Sequence, residues 1–469
     1  MSPGAAGESD HDAGPAGGST RDGAGRRGVT RGVGVLAVAL LVVLSGCTFG
    51  ASFVEDRAPA GEKLGWEGGY RYDDPLSVNT SDGLNASERE AVVARTMARV
   101  ERIRGLEFTD PVPVEVISRA AFRERRNGSD PPGEAYGRWN DQVWEAAFLV
   151  GEDTSVAEVF DAVYSTSVVG FYSPGEDRIV VVSDAATPTL DRATLAHELV
   201  HALQDQHLSF GAGGGTQDAA LAEDGLVEGD ANAVEAAYEA RCGSEWDCIP
   251  RPERSGGGGG GSFDRGVFLT VYAPYAAGPG FVGDLRARSD GNWTAVNDAY
   301  GAFPESTEQV IHPEAYPDER PANVTVPDRS DDRFDRFDLE RETDTVGEAT
   351  VYATFRANGV LPDDHPTYVY DQRLSAGWGG DTVVPYRGAD GEDAYVWRTV
   401  WDTERDAREF LEGYRALLAE HDAVERGDGV YVVESGPFAD AFRVVRRGET
   451  VTVVNAPTVE DLDSVHAPR

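Results

Sequence analysis

The sequence predicts an α+β fold. Three observations carry that expectation: stretches with helical apolar spacing through the first two thirds, a pair of β-rich runs flanking a tight turn near residue 173, and a series of short strands around one amphipathic helix near the end. At 469 residues with 40% hydrophobic content, the chain has material for more than one core.

Residues 1–25 are mostly Gly, Ser, Asp and Ala, with nothing to pack. Arg26, Arg27 and Arg31 then precede an apolar run from Val33 to Leu44. That run falls short of the ~20 residues of a transmembrane helix and matches a signal-peptide core. It ends in Leu44-Ser45-Gly46-Cys47, which resembles a lipoprotein cleavage box, and the arginine pair resembles a twin-arginine export signal. Residues 1–47 are therefore expected to be a lipoprotein signal peptide with Cys47 as the lipidated terminus, which puts the protein on the extracellular face of the membrane. Residues 48–85, rich in Gly and Asp, read as a flexible tether.

From Ser87, Val92, Val93, Met97, Val100 and Ile103 fall on one helical face. Pro111 to Ile117 is a short strand, and a second helical stretch starts at Arg119. Val168–Tyr172 and Arg178–Val182 flank Ser173-Pro174-Gly175 and read as a hairpin at a sheet edge, where Ile179–Val182 can pair with an extended peptide. A helix follows from about Leu190 to His207. The glycine runs 211–215 and 256–261 are surface loops. Glu228 opens a stretch that runs helical to Tyr238. Past His312 a Pro- and Asp-rich segment reaches Asp344 and divides a unit at 86–317 from a smaller α+β module at 318–469. In that module Thr345-x-x-Glu348 reads as the cap of a helix closing at Gly359. Ala394–Val400 is a strand, Thr403–His421 an amphipathic helix, and Gly429–Glu434, Phe442–Val445 and Glu449–Val454 are further strands.

Asp and Glu total 82 against 42 Lys and Arg, a net charge of −40, and Lys63 is the single lysine. Such a field repels phosphate backbones and anionic headgroups, which excludes nucleic acid as a partner and leaves the lipid as the only membrane attachment. The composition resembles that of proteins from extremely halophilic organisms, whose solvent screens the self-repulsion. Of three cysteines, Cys47 is assigned to lipid; Cys242 and Cys248 suit a disulfide in an exported chain, or two thiols on a metal. The sequons at Asn79, Asn85, Asn127, Asn292 and Asn323 fit an extracellular surface.

Histidine is scarce, eight in all, and three lie within eleven residues: His197, His201 and His207. Positions four apart share a helix face, so His197 and His201 can present both imidazoles to one ion, with Glu198 beside them reaching a water on it. This is the H-E-x-x-H zinc pattern. His207 has the spacing of a third histidine ligand, but Gln204 stands where such sites need a glycine turn. Glu228, delivered from a second helix, gives two imidazoles, one carboxylate and an open fourth position, and is the preferred third ligand. Glu235, two turns on, is an outer-shell or solvent residue.

The segments GFYSPGEDRIVVVSD, HELVHALQDQH, ALAEDGLVEGDANAVEAAYEARC, PYAAGPGFVGDL, STEQVIHPEAY and GWGGD resemble a family of zincin-like surface lipoproteins of haloarchaea with a gluzincin-type ligand set. The resemblance threads most of residues 85–400 and implies a zincin-like fold, an edge hairpin plus the H-E-x-x-H helix, and zinc-dependent peptidase activity. The chain lacks the Asn-Glu-x-x-Ser-Asp wording usual around the third ligand. In this reading Glu198 is the general base acting on an extracellular peptide or protein. His312 is the candidate oxyanion donor, with Tyr275 and Tyr238 behind it, and Asp205 or Asp230 orients a ligand imidazole. The competing class is a non-catalytic surface lipoprotein with a structural or vestigial zinc site. Composition and motif say nothing of the oligomeric state.

Overall fold

The computed structural model describes residues 64–127, 133–167, 169–208, 210–211, 213–252, 264–388 and 391–468. The signal peptide with Cys47, the tether up to residue 63 and the glycine run 256–261 lie outside the described residues. The protein is α+β.

Strands β1 (Trp66–Glu67) and β2 (Tyr70–Arg71) pair as a small hairpin beside helix α1 (Ala86–Arg104). Asn85 caps α1, and Glu88 returns a bond to the Asn85 backbone. Residues 64–85, expected as tether, are packed chain. Gly65 donates its N–H to Glu101 at 2.6 Å, Arg99 donates to the Tyr72 carbonyl at 2.8 Å, and Leu84 is buried. Their few apolar residues suffice because Tyr72, Leu76 and Val78 meet the α1 core directly.

Next come β3 (Val114–Ile117), α2 (Arg119–Asn127), α3 (Glu134–Ala146), α4 (Val156–Ser167), β4 (Gly170–Ser173) and β5 (Arg178–Val182). The hairpin of β4 and β5 forms where expected, but β5 is central. It pairs in parallel with β3 and antiparallel with β4, in the order β3-β5-β4. Ile179–Val182 therefore has no free edge, and β3 and β4 are the edge strands instead. An unbroken β-branched run suits a strand flanked on both sides, which the hairpin signal alone does not reveal.

Helix α5 (Arg192–His207) is capped by Asp191, and α6 (Gln217–Arg241) by Thr216. The latter begins eleven residues before Glu228, the expected start. Gly225 and Gly229 read as helix-weakening, yet they form a seam against α7 (Arg265–Arg288). A Cβ on Gly229 would run into the Gly278 backbone, and one on Gly278 into the Gly225 carbonyl. The helix spends glycine propensity on close approach.

After α8 (Thr294–Ala299) and α9 (Thr307–Ile311), a 3₁₀ turn (Pro313–Ala315) leads on to β6 (Phe334–Arg336) and α10 (Gly347–Ala357). The chain then builds β7 (Trp378–Gly388), β8 (Ala394–Trp401), α11 (Glu404–Glu420), β9 (Val424–Gly427), β10 (Val430–Val432), β11 (Ala441–Arg447), β12 (Thr450–Ala456) and α12 (Leu462–Val465). β6 to β12 form one antiparallel sheet in the order β6-β7-β8-β12-β11-β10-β9. One apolar cluster unites this sheet with Phe410 and Tyr414 of α11, and also with Trp139 and Val143 of α3. The core of the sheet thus draws on residues from both sides of position 317.

The start of α10 differs from the capping-box expectation. Thr345 donates its hydroxyl to the Asp381 carbonyl, while the Asp381 carboxylate accepts the Val346 and Gly347 N–H groups at 3.0 Å each. Glu348 turns inward instead of back to the cap, because Asp344 Oδ1 already accepts the Thr345 N–H that a capping box would offer it. Gly347 has φ +80°, and a side chain there would strike Asp218. Asp218 in turn accepts the Thr307 N–H that starts α9, and Asp344 accepts the Gln217 N–H that starts α6. Three helix N-termini are thereby interlocked through distant carboxylates. No described helix is long and apolar enough to cross a membrane.

Candidate metal centre

Helix α5 places His197 and His201 one turn apart, with Leu195, Leu199, Val200 and Leu203 buried and holding the helix in register. Facing them on α6 is Glu228. Its Oε2 lies 3.0 Å from His197 Nε2 and 3.6 Å from His201 Nε2. Ligand atoms of these three residues all fall within 4.8 Å of one another. Tetrahedral ligands at 2.0–2.1 Å from zinc stand about 3.3 Å apart, so the donor set and spacing fit that ion.

The other ring nitrogens are held from behind. His197 Nδ1 faces Glu235 at 3.3 Å, and His201 Nδ1 faces Gln204 Oε1 at 2.7 Å. Both partners accept an Nδ1–H, which aims each Nε2 at Glu228. Burial opposes charge on His197, but Glu228 and Glu235 prevail and hold it at about 10. Burial likewise opposes the Glu228 charge, and the two imidazoles overcome it, keeping the carboxylate far below its ordinary range. An environment that retains a proton so firmly favours a cation in its place.

Gln204 is the residue the sequence did not flag as functional. It is fully buried and donates to the Val227 carbonyl at 2.9 Å and to the Tyr300 hydroxyl at 2.8 Å. Tyr300 donates to Asp230, which pairs with Arg104 at 2.8 Å. Asp230 therefore reaches His201 through two intervening side chains, not by touching an imidazole as expected. Asp205 does not orient an imidazole either: it accepts the Tyr172 phenol at 2.8 Å, one helical turn beyond His201 and turned toward β4. His207 points away, with its Nε2 on the Glu107 carbonyl at 2.5 Å.

Glu198 is half-buried beside the two histidines, and its Oε2 accepts the Tyr172 N–H of β4 at 2.8 Å. Burial raises its pKa, with the two imidazoles pulling back. Tyr275 on α7 donates to Glu228 Oε1 at 2.9 Å and stacks on His197 with ring centroids 6.5 Å apart. Tyr238, by contrast, is buried in another core against Trp246, and its hydroxyl faces Arg99 at 3.2 Å. Cys242 and Cys248 form a disulfide just past α6, with Cα atoms 5.5 Å apart.

His312 belongs to a different group. It ends α9, and its Nε2 lies 3.0 Å from buried Glu348. His312 is itself the C-cap of α9, and its ring meets Glu348 of α10. Burial opposes charge on His312, but Glu348 carries it to about 9; on the same helix burial first, then Glu348 and Asp402, push Glu308 up to about 9. Folded pKa values above the unfolded ones mean stability that is complete at low pH and lost as pH climbs through about 9. Glu308→Gln should therefore gain on wild type with rising pH, by on the order of a few kcal/mol near its upper end, in denaturant midpoints measured from pH 5 to 9. Parallel profiles for the two proteins would reject this account of Glu308.

Residues 332–466 match a family described as a domain of unknown function, DUF8575. The match spans the seven-stranded sheet and contains none of His197, Glu198, His201 and Glu228. No curated protein and no solved structure matches the chain.

Proposed function

We propose that the protein is a zinc-dependent metallopeptidase with a zincin-like arrangement, held by lipid at the extracellular face of the membrane and acting on peptides or proteins. One observation carries the reading: both Nε2 atoms converge on Glu228 Oε2 while both Nδ1 atoms are tied back, with the half-buried Glu198 alongside. The export signal at 1–47, the extracellular location and the halophilic setting rest on the sequence.

His197, His201 and Glu228 would hold the zinc, which when bound acidifies a water toward ~7 and polarises a carbonyl. Glu198, adjacent to both imidazoles, accepts the proton of the attacking water and delivers it to the leaving amine. Burial favours the neutral form it takes midway. Tyr275 keeps its proton, because burial and the Glu228 charge push its pKa well up; its single O–H, which holds Glu228 Oε1 here, would serve a developing oxyanion only by swinging off that carboxylate. The Tyr172 N–H fixes Glu198 against β4, whose outer side is free of strand partners among the described residues and suits an extended substrate backbone.

Protein purified in molar salt should carry one zinc per chain by elemental analysis, and His197→Ala should carry far less. Wild type should also cleave a mixed peptide library in that salt. Absence of stoichiometric zinc, or unchanged zinc in His197→Ala, removes the metal centre. Zinc without any cleavage leaves a structural site.

A further inference from the structure

A second group of carboxylates lies well away in sequence from the metal centre. Glu145 is in the last turn of α3, Glu152 lies in the loop before α4, and Asp440 directly precedes β11. Their carboxylate oxygens lie within 4.8 Å of one another. Glu145 and Asp440 are 3% and 6% exposed, and none of the three has an ion-pair partner among the described residues. Buried like charges without a cation are costly, which shows in Asp440: burial, then Glu152, push it up to about 8.

Two buried amides end at the same group. Gln142 donates its Nε2 to Glu145, and fully buried Asn455 donates its Nδ2 to Asp440 at 2.6 Å. The carbonyl oxygens of both amides, Gln142 Oε1 and Asn455 Oδ1, are buried acceptors with no donor. Buried polar atoms are rarely left so, and two at one carboxylate cluster point to a missing positive partner. Every available ligand is an oxygen, with no histidine or cysteine, which is the chemistry of a hard cation.

We propose that Glu145, Glu152 and Asp440 hold a divalent cation of calcium's class, with the Asn455 and Gln142 amides turned over so that their orphaned oxygens, in place of the NH2 groups, face the ion. The ion would tie the loop after α3 to the entry of β11. That junction is already close: Glu152 donates its N–H to the Pro437 carbonyl at 3.0 Å, and a side chain on Gly151 would run into Pro437. Calcium fits better than magnesium because it accepts several carboxylates and carbonyls in irregular geometry without retained waters. This site is independent of the zinc reading.

The test is terbium luminescence on the full chain, zinc-loaded and freed of calcium, in molar sodium chloride. Tyr395 and Tyr414, both fully buried and electrostatically coupled to Glu145, serve as sensitisers. Wild type should show saturating emission from one ion per chain that calcium displaces, and calcium should raise its melting temperature. Asp440→Asn and Glu152→Gln should each weaken terbium and calcium binding at least tenfold with zinc content unchanged. Glu152 is exposed, so its variant folds whatever becomes of Asp440→Asn. Absence of calcium-displaceable emission in wild type, or a Glu152→Gln titration that overlays wild type, overturns the proposal.

Discussion

Glu198→Gln is expected to lower kcat on a cleaved peptide by ~10²–10⁴-fold while zinc stays at one per chain. The amide has nearly the same shape, and its oxygen still accepts the Tyr172 N–H that positions the wild-type carboxylate at 2.8 Å. What it loses is the capacity to take a proton from water. The ligands His197, His201 and Glu228, with their supports Glu235 and Gln204, are untouched, so elemental analysis should not distinguish variant from wild type. Cleavage at the wild-type rate with zinc in place would remove Glu198 from the base role. Loss of zinc together with activity would make it a structural residue.

Arg104→Ala is expected to cost about 3–5 kcal/mol in the guanidinium midpoint at fixed salt. Arg104 and Asp230 are 1% and 0% exposed at the side chain, and the substitution would leave Asp230 charged, buried and unpaired. Arg104 also donates to Asn297 at 2.7 Å and lies over the Trp293 ring, so packing is lost as well. The damage should travel along Asp230, Tyr300 and Gln204 to His201, weakening zinc binding by ~10–100-fold, the scale of losses when an outer support of a metal ligand is removed. A midpoint and a zinc affinity both equal to wild type would dissolve that chain of contacts as an energetic unit.

His197, Glu198 and His201 were legible because their geometry is helical and local: 3.6 residues per turn puts the imidazoles together wherever the helix goes, while Glu228 on α6 was named only as the carboxylate that such a ligand set needs. Glu235 follows from the same periodicity, seven positions after Glu228. The supports from other elements were not legible. Arg104, Tyr172 and Tyr300 are brought in by packing between segments 26 to 126 positions apart from α5 or α6 partners, as the bonds to Asp230, Glu198 and Gln204 record. In a chain with 82 acidic residues, no carboxylate stands out until its surroundings are seen, which is why Asp205 and Asp230 were assigned the wrong neighbours. His312 drew notice through rarity, and rarity does not say which way a ring faces. Among elements, α5, the hairpin and α11 were readable from period and caps. The start of α6 was not, because Gly225 and Gly229 weaken a helix in isolation and strengthen it only against α7.

Trp139 and Val143 lie in the apolar cluster of the seven-stranded sheet, and the N-termini of α6, α9 and α10 hold one another by carboxylates. The outcome is thermodynamic coupling. No boundary near residue 317 can open without exposing tryptophan-lined core and orphaning helix ends, so the described parts on either side of it are expected to melt together in calorimetry. Any free energy that zinc contributes at α5 and α6 is then shared with strands that never touch it. A sheet with no ligand of its own would owe part of its endurance to an ion bound elsewhere.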